Sequence, residues 1–471
     1  MKIRSKRHGR IRSLQDADFD SPYSEVIING KRYSGFEDSE KIEGIPLIRI
    51  PLSLLHSKIA RSEVLLKSYA RLLNIPTEYN ETILNKEILP IKVKNLIIGC
   101  GSSGLSILEE LGKDNTIAIC HRELGYVEYD SSEDPLINKN EIIKRLKIIY
   151  KENQEKIING IFLGNFSEGL AFDARAKILL INAENIFLAS GSRYILPLFN
   201  GNDNPKVISR NLFLMNKKKY KRIIVLGSSD DALRTALNAD NAIVLHKEGA
   251  RYFSKFYLEE VEKKGYEIIG VKRLKFKEEN KGVFIITDKG EWYADVIVYA
   301  VVRQPKIEIS SNLEVSYNFF DLTHVYLPFH DLFGITDKPN VFVVGGMRGI
   351  SIESLSYFSS KFLLNKDYEF KENLKKYEPY LYNYYDGKWE HNYVSPYLFD
   401  NDGYICECED IMYNDIIEAL NRGYNTVEHL KRFTGLATGA CQGKICAFLA
   451  GSIISSNDLI TFRSPLYRLI V

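Results

Sequence analysis

The stretch "IKVKNLIIGCGSSG", residues 91–104, decides the fold class. Its apolar first half is typical of a buried strand and its glycine-rich second half of a tight turn; "LSILEEL" then opens a helix, and "NTIAIC" (115–120) a second strand. In this arrangement Gly99 allows the turn, Gly101 lets the backbone approach a pyrophosphate, and Gly104 lets the helix pack closely on the strand. The helix N-terminus offers free N–H groups to the phosphates. We predict a dinucleotide site here, with a glycine-rich turn in an ordinary α/β core as the alternative.

The end of the second strand lacks the expected ribose ligand. Rossmann folds usually carry an acid there that binds the ribose hydroxyls, whereas this chain has His121 and Arg122, with Glu123 following. His121 could hydrogen-bond a ribose, and Glu123 could reach back to it. The motif therefore predicts a nucleotide without identifying it. The residues assigned to the nucleotide around this motif are Gly99, Gly101, Ser102, Ser103, Gly104, His121, Arg122 and Glu123.

A second strand–turn–helix unit begins in "YKRIIVLGSSDDALRTAL", residues 220–237. Its turn keeps only the first glycine of the motif and adds Asp230 and Asp231. Carboxylates at a helix N-terminus cap the helix well, but they would repel a pyrophosphate. We therefore expect a second Rossmann-like domain that does not bind NAD(P)H. Further buried strands, in 292–302 and 340–346, are expected to return to the first domain.

Length and composition restrict the class of protein. The 471 residues suggest two to four domains, and 45% hydrophobic with 26% charged residues is typical of a soluble globular protein. The net charge of +2 argues against a nucleic-acid binder. No apolar run reaches the ~18–20 residues of a transmembrane helix, and the basic N-terminus has no apolar segment behind it, unlike a secretory signal. We expect a cytoplasmic protein, with peripheral attachment to a membrane through partners as a variant.

Cysteine use agrees with a reducing compartment, since six cysteines in a chain of this length make no disulfide framework. Cys100 and Cys120 fall in core strands and turns, and we expect them to be ordinary small apolar residues. The other four stand near the C-terminus with the pattern C-x-C-x32-C-x4-C. These are Cys406, Cys408, Cys441 and Cys446.

The segment between the two cysteine pairs is predicted to form two short amphipathic helices split at Gly423-Tyr424, and "TGACQGKIC" offers a glycine-rich turn into a third helix. Helix N-termini would then point their amides at the thiolates, the environment that a negatively charged iron–sulfur cluster needs. We predict a [2Fe-2S] cluster. A zinc site, which C-x-C fits poorly, a pair of disulfides, unusual in a cytosolic enzyme, and four unrelated cysteines are the alternatives.

These C-terminal motifs resemble a known family. "CECED…GYNTVEHLKRFTGLATGACQGKIC" resembles the bacterioferritin-associated-ferredoxin-like [2Fe-2S] domain, in the form found in the α (large) subunit of heteromeric sarcosine oxidases. The same subunit type occurs in dye-linked proline and hydroxyproline dehydrogenases, opine oxidases and hydrogen cyanide synthase. "FNGNDNPKVIS" and the tail "FRSPLYRLIV" are also similar to the family. The resemblance covers most of the chain, most strongly 91–205 and 404–471.

The N-terminal part of the sequence, residues 1–90, gives the weakest indications of structure. "EVIINGKRYSGFE" (25–37) is typical of a hairpin turning at Asn29-Gly30, and a helical pattern follows around "LSLLHSKIARSEVLLKSYARLL". "IINGKRYSG" resembles the hairpin of the family's ferredoxin-like segment. The cluster cysteines of that segment are absent here, so it can hold no second, plant-type cluster.

The resemblance also extends the nucleotide site. Ala189-Ser190-Gly191 stands where the family has Ala-Thr-Gly at a strand end, with Ser190 in place of Thr. In "NVFVVGGMRGI" the family's returning strand brings a Gly-Asp pair to the flavin ribityl group; here Gly345 is kept and Gly346 stands where Asp is expected. All five residues are therefore implied as cofactor-binding, with FAD, NAD or ATP as the nucleotide.

The resemblance implies an α/β fold with two Rossmann-like dinucleotide-binding domains, as in glutathione-reductase-like flavoproteins, and a small C-terminal helical [2Fe-2S] domain. It implies an oxidoreductase subunit for CH–NH donors. In such complexes the amine or imino acid is oxidised at a flavin of a β subunit related to D-amino-acid oxidases, and an FMN can lie between α and β. Electrons would pass singly through the cluster to an external acceptor. No residue of this chain is assigned to acid–base catalysis, and the substrate is not identified.

Two other functions stay open. A self-contained NAD(P)H-linked ferredoxin or disulfide-type reductase would need an intact second nucleotide fold, against which "GSSDDA" argues. A non-catalytic scaffold would hold a nucleotide and a cluster to position a partner. The expected domains are an N-terminal ferredoxin-like remnant and helical lead-in (1–90), the nucleotide-binding Rossmann domain (91–205 and 303–365), the second Rossmann-like domain (206–302), a linker (366–403), the [2Fe-2S] domain (404–455) and a tail (456–471).

Overall fold

The computed structural model describes residues 86–467, apart from 123, 175, 205, 280, 281, 367 and 440, together with Ser62 and four short strands near the N-terminus. These strands pair antiparallel, Lys2–Arg4 with Ile11–Ser13 and Val26–Ile28 with Lys31–Tyr33, so the predicted hairpin is confirmed. The rest of 1–85, including the predicted helical lead-in, lies outside the described residues.

The first domain is built on a seven-stranded sheet. Five of its strands are parallel to their neighbours, and two form an antiparallel extension. The central strand is buried on both faces at Leu96, Ile97 and Ile98, as parallel strands between helical layers are. The order across the sheet is Ile157–Asn159, Thr116–Cys120, Glu87–Ile98, Lys177–Leu188, Gly169–Asp173 and Ile161–Phe166, with Val341–Val343 also paired to Lys177–Leu188.

Helices cover the first sheet. Ser102–Leu111 follows the central strand directly, and Glu353–Asn365 packs against it. Lys139–Glu152 begins at Asn138, whose side chain accepts a hydrogen bond from the backbone N–H of Asn140, an N-cap that satisfies one free amide. Because Val341–Val343 lies beside Lys177–Leu188, the expected return of 340–346 to this domain is confirmed.

The second domain has a five-stranded parallel sheet in the order Val207–Ser209, Val296–Tyr299, Arg222–Leu226, Asn241–Lys247 and Glu267–Val271. The expectation that 292–302 returns to the first domain is wrong: Ile297 lies opposite Ile224 and Val207 in this second sheet. A meander of Leu274–Glu279, Gly282–Thr287 and Glu291–Ala294 lies beside it. Its helices are Arg210–Asn216, Asp230–Leu237 and Lys255–Lys263.

The segment 366–403 is not the irregular linker that we expected. It begins with two helices, Glu369–Tyr377 and Pro379–Asp386, whose aromatic side chains pack inward; Phe370 and Leu381 are buried. Pro379 occupies the first turn of its helix, where its missing N–H costs nothing. The many tyrosines of this segment obscured the spacing of apolar residues that would have indicated the two helices.

The C-terminal domain contains a short pair of strands, Tyr404–Cys406 and Ile411–Met412, and three helices, Tyr413–Asn421, Val427–Thr434 and Cys446–Ile454. The two short helices predicted on either side of Gly423-Tyr424 are therefore confirmed, as is the third. One continuous apolar core joins this domain to both sheets. No helix among the described residues is long and apolar enough to cross a membrane.

The remaining elements connect the domains. Ser192–Tyr194 pairs with Arg303–Pro305, and Tyr317–Phe320 with Val325–Pro328, both antiparallel. They are accompanied by the helix Ile307–Asn312 and by the short 3-10 turns Gln154–Lys156, Lys217–Lys219 and Gly345–Arg348.

Candidate functional site

The glycine turn after the central strand has the geometry that its sequence predicts. Gly99 has φ +114°, and a Cβ there would lie 2.3 Å from the Ala189 carbonyl oxygen. A Cβ at Gly104 would lie 1.9 Å from the Gly99 oxygen. Gly101, by contrast, has open space beside it and begins the helix without any side-chain cap. Two glycines thus permit close packing, and the third keeps the helix N-terminus accessible.

A cavity of about 200 Å³ opens at this helix N-terminus. It brings together ten residues of the predicted nucleotide site: Gly99, Gly101, Ser102, Ser103, His121, Arg122, Ala189, Ser190, Gly191 and Gly346. Gly104 lies behind the turn, and Gly345 lies against Ser103, whose Oγ is 2.4 Å from where a Cβ of Gly345 would be. Glu123 lies outside the described residues.

The position of Gly346 explains the absence of a carboxylate there. A Cβ at Gly346 would lie 3.1 Å from the Gly191 Cα and 3.4 Å from the Ser192 nitrogen, so the neighbouring strand end leaves little room for a side chain. At the other end of the cavity the guanidinium of Arg122 lies 4.8 Å above the Tyr126 ring. This end therefore presents a stacked cation where the motif usually has an acid.

Several cavity residues escaped the sequence analysis. They share a polar or aromatic side chain, and all except Tyr126 come from parts of the chain far from the first glycine turn: Tyr126, Arg210, Arg303, Lys306, Glu353 and Tyr467. Glu353 accepts a hydrogen bond of 2.7 Å from the Ser102 hydroxyl, which places a carboxylate beside the glycine turn. Only the antiparallel pairing of Arg303–Pro305 with Ser192–Tyr194 brings Arg303 to the cavity, and the sequence does not show that pairing.

Charged side chains fill the junction between the two Rossmann domains. Asp130 is buried and receives hydrogen bonds of 2.5 Å from both Arg210 and Arg234. Burial alone would raise the pKa of Asp130, but the cations of Arg234 and Arg210 hold this pKa well below its ordinary value. The junction is thus fixed by ionised groups with matched partners, as buried charges require.

The same network of buried charged side chains closes the second glycine turn. Its carboxylates, Asp230 and Asp231, therefore do not act as we expected. Asp231 is paired with Arg303, so its charge is neutralised. Asp230 is buried, accepts a hydrogen bond of 2.7 Å from the Ser254 N–H, and has its pKa raised by burial to about 7. Electrostatic repulsion of a pyrophosphate is therefore the wrong premise. The turn is instead filled by buried protein groups, and the absence of NAD(P)H binding stays a prediction.

The four C-terminal cysteines come together. The thiol of Cys406 contacts those of Cys408 and Cys446, and the thiol of Cys441 contacts the same two. Hydrogen bonds from these partners lower the pKa of Cys406 to about 4 and hold the pKa of Cys441 well below its ordinary value. A Cβ at Gly439 would lie 2.3 Å from the Cys408 Cβ, so glycine is required there for the two loops to meet.

This convergence is not itself a metal site. Among the described residues, no group of three or more His, Cys, Asp and Glu side chains is arranged to hold a metal ion. The [2Fe-2S] cluster therefore stays a prediction, which rests on the chemistry of four thiols in mutual contact.

The prediction for Cys100 and Cys120 is wrong in part. Both are buried, as expected, but Cys100, which lies within the glycine turn and lines the cavity, forms a disulfide with Cys120, the two Cα atoms being 5.3 Å apart. Cys120 ends the strand Thr116–Cys120, and Cys100 follows the end of its parallel neighbour, in which Ile98 lies opposite Ile119. Strand register, which a sequence without a template leaves undetermined, brings them within reach.

The cavity and the cysteine site are neighbours. Lys444, which lies between the two cysteines of the last loop, is buried, and its carbonyl oxygen accepts a hydrogen bond of 3.3 Å from Arg193. The residues on either side of Arg193, Ser192 and Tyr194, line the cavity. The ammonium group of Lys444 lies 4.5 Å above the ring of Tyr467, which also lines it. Lys444, which belongs to the cysteine loop, thus contacts both Arg193 beside the cavity and Tyr467 in the cavity wall.

Comparison with known proteins gives two family matches. The model of the pyridine nucleotide-disulphide oxidoreductase family matches residues 93–359, and that of the sarcosine oxidase A3 domain matches residues 401–465. A search of curated proteins found no match.

Comparison with solved structures gives further similarities, of which the first shows a shared fold. The chain is similar to L-proline dehydrogenase from P. horikoshii with 22% identity, a TM-score of 0.60, and coverage of 84% of this chain and 81% of that one. It is also similar to thioredoxin reductase from Lactococcus lactis, with 15% identity, a TM-score of 0.46, and coverage of 59% and 98%. A third similar structure is thioredoxin reductase from T. acidophilum, with 13% identity, a TM-score of 0.45, and coverage of 59% of this chain and 98% of that one.

Proposed function

Since the chain belongs to the pyridine nucleotide-disulphide oxidoreductase family, we propose that it is the nucleotide-binding, electron-relaying α subunit of a heteromeric flavin-dependent dehydrogenase. The A3 domain at 401–465 confirms the resemblance to the α subunits of the sarcosine oxidase and proline dehydrogenase family. The substrate would be a secondary amine or imino acid of the sarcosine, proline or hydroxyproline type. The shared fold with a solved L-proline dehydrogenase supports this class of oxidoreductase.

One observation carries the proposal: the nucleotide cavity and the four cysteines lie on either side of Lys444. A site for a two-electron cofactor beside a site for a one-electron centre is the arrangement that an electron relay needs. Arg193 fixes this junction, because its buried guanidinium pairs with Glu308 and also binds the Lys444 carbonyl. The two sites are thus held at a constant separation by buried polar contacts.

The cavity suits the phosphates of a dinucleotide. The helix N-terminus at Gly101 supplies free backbone amides, and Lys306 adds a cationic side chain to the lining. The proposed ligands of the nucleotide are those that the motif assigns, with His121 and Arg122 at the ribose end. The crowded position of Gly346 leaves no carboxylate for a ribityl chain, so FAD, NAD and ATP all stay candidates.

The cysteine site suits a [2Fe-2S] cluster by its donor set. Four thiols are the ligands that such clusters use, and the hydrogen bonds among them lower the pKa of Cys406 and Cys441 while raising the pKa of Cys408 and Cys446. A bound cluster would accept and release one electron at a time. The protein would contribute the ligands Cys406, Cys408, Cys441 and Cys446, and the charge of Lys444 close to Cys441.

A partner completes the proposed enzyme. We assign no substrate acid–base residue to this chain and propose that the substrate is oxidised in a flavoprotein β subunit related to D-amino-acid oxidases. An FMN at the subunit interface and an external electron acceptor belong to the same proposal.

The experiment is anaerobic purification of the chain co-expressed with candidate β subunits, followed by absorption spectroscopy and by measurement of iron and acid-labile sulfide. We expect a stable complex, flavin bands, and two irons with two sulfides per α chain. Dye reduction with proline or sarcosine should then depend on both subunits. Zinc in place of iron, or disulfides among the four cysteines, would refute the electron relay.

The same preparation separates the two competing functions. Bleaching of flavin by NADH in the isolated α chain would favour a reductase. Cluster absorbance without flavin, and without any partner-dependent activity, would favour a scaffold.

A further inference from the structure

The C-terminal segment Pro465–Tyr467 lies between the two proposed sites. The N–H of Leu466 donates a hydrogen bond of 2.7 Å to the Leu163 carbonyl, which follows the cavity residue Phe162. On its other side, Pro465 accepts a hydrogen bond of 3.2 Å from the Gln442 side chain in the cysteine loop. Leu466 and Tyr467 are both buried. This segment is therefore part of the cavity wall and part of the packing around the cysteines.

Lys444 joins these two environments through a single ammonium group. The group donates hydrogen bonds to the Cys441 carbonyl, at 3.1 Å, and to the Leu466 carbonyl. It also lies 4.5 Å above the Tyr467 ring, within the range of a cation–π contact. The side chain is 2% exposed, so solvent screens its charge little. One buried cation is thus shared by the cysteine loop and by the cavity wall.

We propose that Lys444 and Tyr467 couple nucleotide binding to the redox state of the cysteine site. The proposal rests on the function proposed above, because it needs a nucleotide in the cavity and a redox centre at the cysteines. An electron added at the cysteine site increases the negative charge beside Lys444 and draws the ammonium group toward it. The hold of that group on Leu466 and Tyr467 weakens, and the cavity wall loses its support. The reduced protein then binds an anionic nucleotide more weakly.

Linkage makes the effect reciprocal: a nucleotide that prefers the oxidised protein must lower the midpoint potential of the centre. Couplings between sites in one protein are commonly about fivefold or more in affinity. For a one-electron couple, fivefold corresponds to about 40 mV. Nucleotide occupancy would therefore set how readily the centre accepts an electron.

The test uses ADP as the probe, because FAD, NAD and ATP share its structure. The dissociation constant of ADP is measured anaerobically by calorimetry on the full-length chain with its cluster, oxidised and then reduced with dithionite, which supplies one electron to the centre. The midpoint potential is measured with and without saturating ADP. We expect binding about fivefold weaker after reduction and a potential about 40 mV more negative with ADP.

Four variants test whether Lys444 and Tyr467 carry the coupling. In Lys444→Met and Tyr467→Leu the ratio of the two dissociation constants should fall below about twofold. In Tyr467→Phe, which keeps the ring under the ammonium group, and in Lys431→Met, a lysine elsewhere in the same domain, the ratio should stay as in the wild type. A merely structural role of Lys444 would change both dissociation constants equally and leave their ratio intact.

Equal ADP affinity in the two redox states of the wild-type chain would overturn the coupling and leave the proposed function standing. Failure of the oxidised, cluster-loaded chain to bind ADP, or failure of the chain to take up iron, would overturn the proposed function and the coupling with it.

Discussion

Asp231 and Arg303 form a two-pronged ion pair at the junction of the two Rossmann domains. The Arg303 Nε lies 2.6 Å from one carboxylate oxygen of Asp231, and its Nη2 lies 2.9 Å from the other. Asp231 belongs to the second glycine turn, whereas Arg303 lines the nucleotide cavity of the first domain. The pair therefore connects the closed turn of one domain with the open cavity of the other.

Asp231→Asn should destabilise the protein by about 3–5 kcal/mol, because it leaves the Arg303 cation without its buried anionic partner. Chemical denaturation at pH 7 measures the loss. Arg422→Met, which breaks an exposed pair with Glu418, is the control and should change the free energy of unfolding by less than about 1 kcal/mol. A loss of similar size in both variants would contradict the importance of the buried pair.

Asp230→Asn, one residue away, should have the opposite effect. Burial raises the pKa of Asp230 to about 7 from an ordinary value of 3.8, so the folded protein holds a proton that the unfolded chain has lost between these pH values. The stability contribution of Asp230 therefore declines as pH rises from about 4 to 7, and stays low above that. The amide should stabilise the protein by about 2–4 kcal/mol at pH 8 and make little difference at pH 4. Urea denaturation at the two pH values measures this; equal effects at both would refute it.

Acid should destabilise the protein through His330. Burial and the nearby Arg348 cation lower the pKa of His330 to about 3, against an ordinary value of 6.5. Below pH 6.5 the unfolded chain binds a proton at this site that the folded protein does not, so stability falls with a slope of up to about 1.4 kcal/mol per pH unit down to pH 3. Denaturation between pH 4 and 7 should show a flatter profile for His330→Gln. A profile as steep in this variant as in the wild type would contradict the prediction.

The Cys100–Cys120 disulfide predicts a specific thiol count. Alkylation of the denatured, metal-free chain should modify four cysteines without reductant and six with it, as read by mass spectrometry. Since the bond closes a loop of 20 residues, its loss in Cys120→Ala should lower the free energy of unfolding by about 3 kcal/mol. Six modified cysteines without reductant would show that the bond does not form.

A negative charge at the glycine turn should weaken nucleotide binding without unfolding the protein. The space beside Gly101 is open, so Gly101→Asp and Gly101→Asn should both fold. Only the aspartate repels the phosphates from the helix N-terminus, and we expect at least about tenfold weaker ADP binding in Gly101→Asp than in Gly101→Asn. Equal affinities would indicate that the phosphates lie elsewhere.

The sequence predicted the features that depend on a periodic apolar pattern or on contacts between residues close along the chain. The glycines of residues 99–104 predicted the first turn because only a residue without Cβ fits against the Ala189 carbonyl. The helices on either side of Gly423-Tyr424 followed from their apolar period. The convergence of the four cysteines was predicted from spacing and resemblance together.

The sequence was uninformative where a contact depends on register or on distant packing. Glu353 reaches Ser102 across about half of the chain, and the partners of Asp130 come from a separate domain. The disulfide depends on the alignment of two parallel strands. Tyr467 reaches the cavity only because Leu466 pairs with Leu163. Such contacts are properties of the assembled fold, and no short motif encodes them.

The place of Tyr467 in the cavity wall also bears on biosynthesis. The glycine turn emerges from the ribosome early, but the wall that faces it is completed only when Tyr467 has been made, more than half of the chain later. A nascent polypeptide would therefore expose an unfinished pocket until Tyr467 emerges, and loading of the nucleotide would have to await that residue.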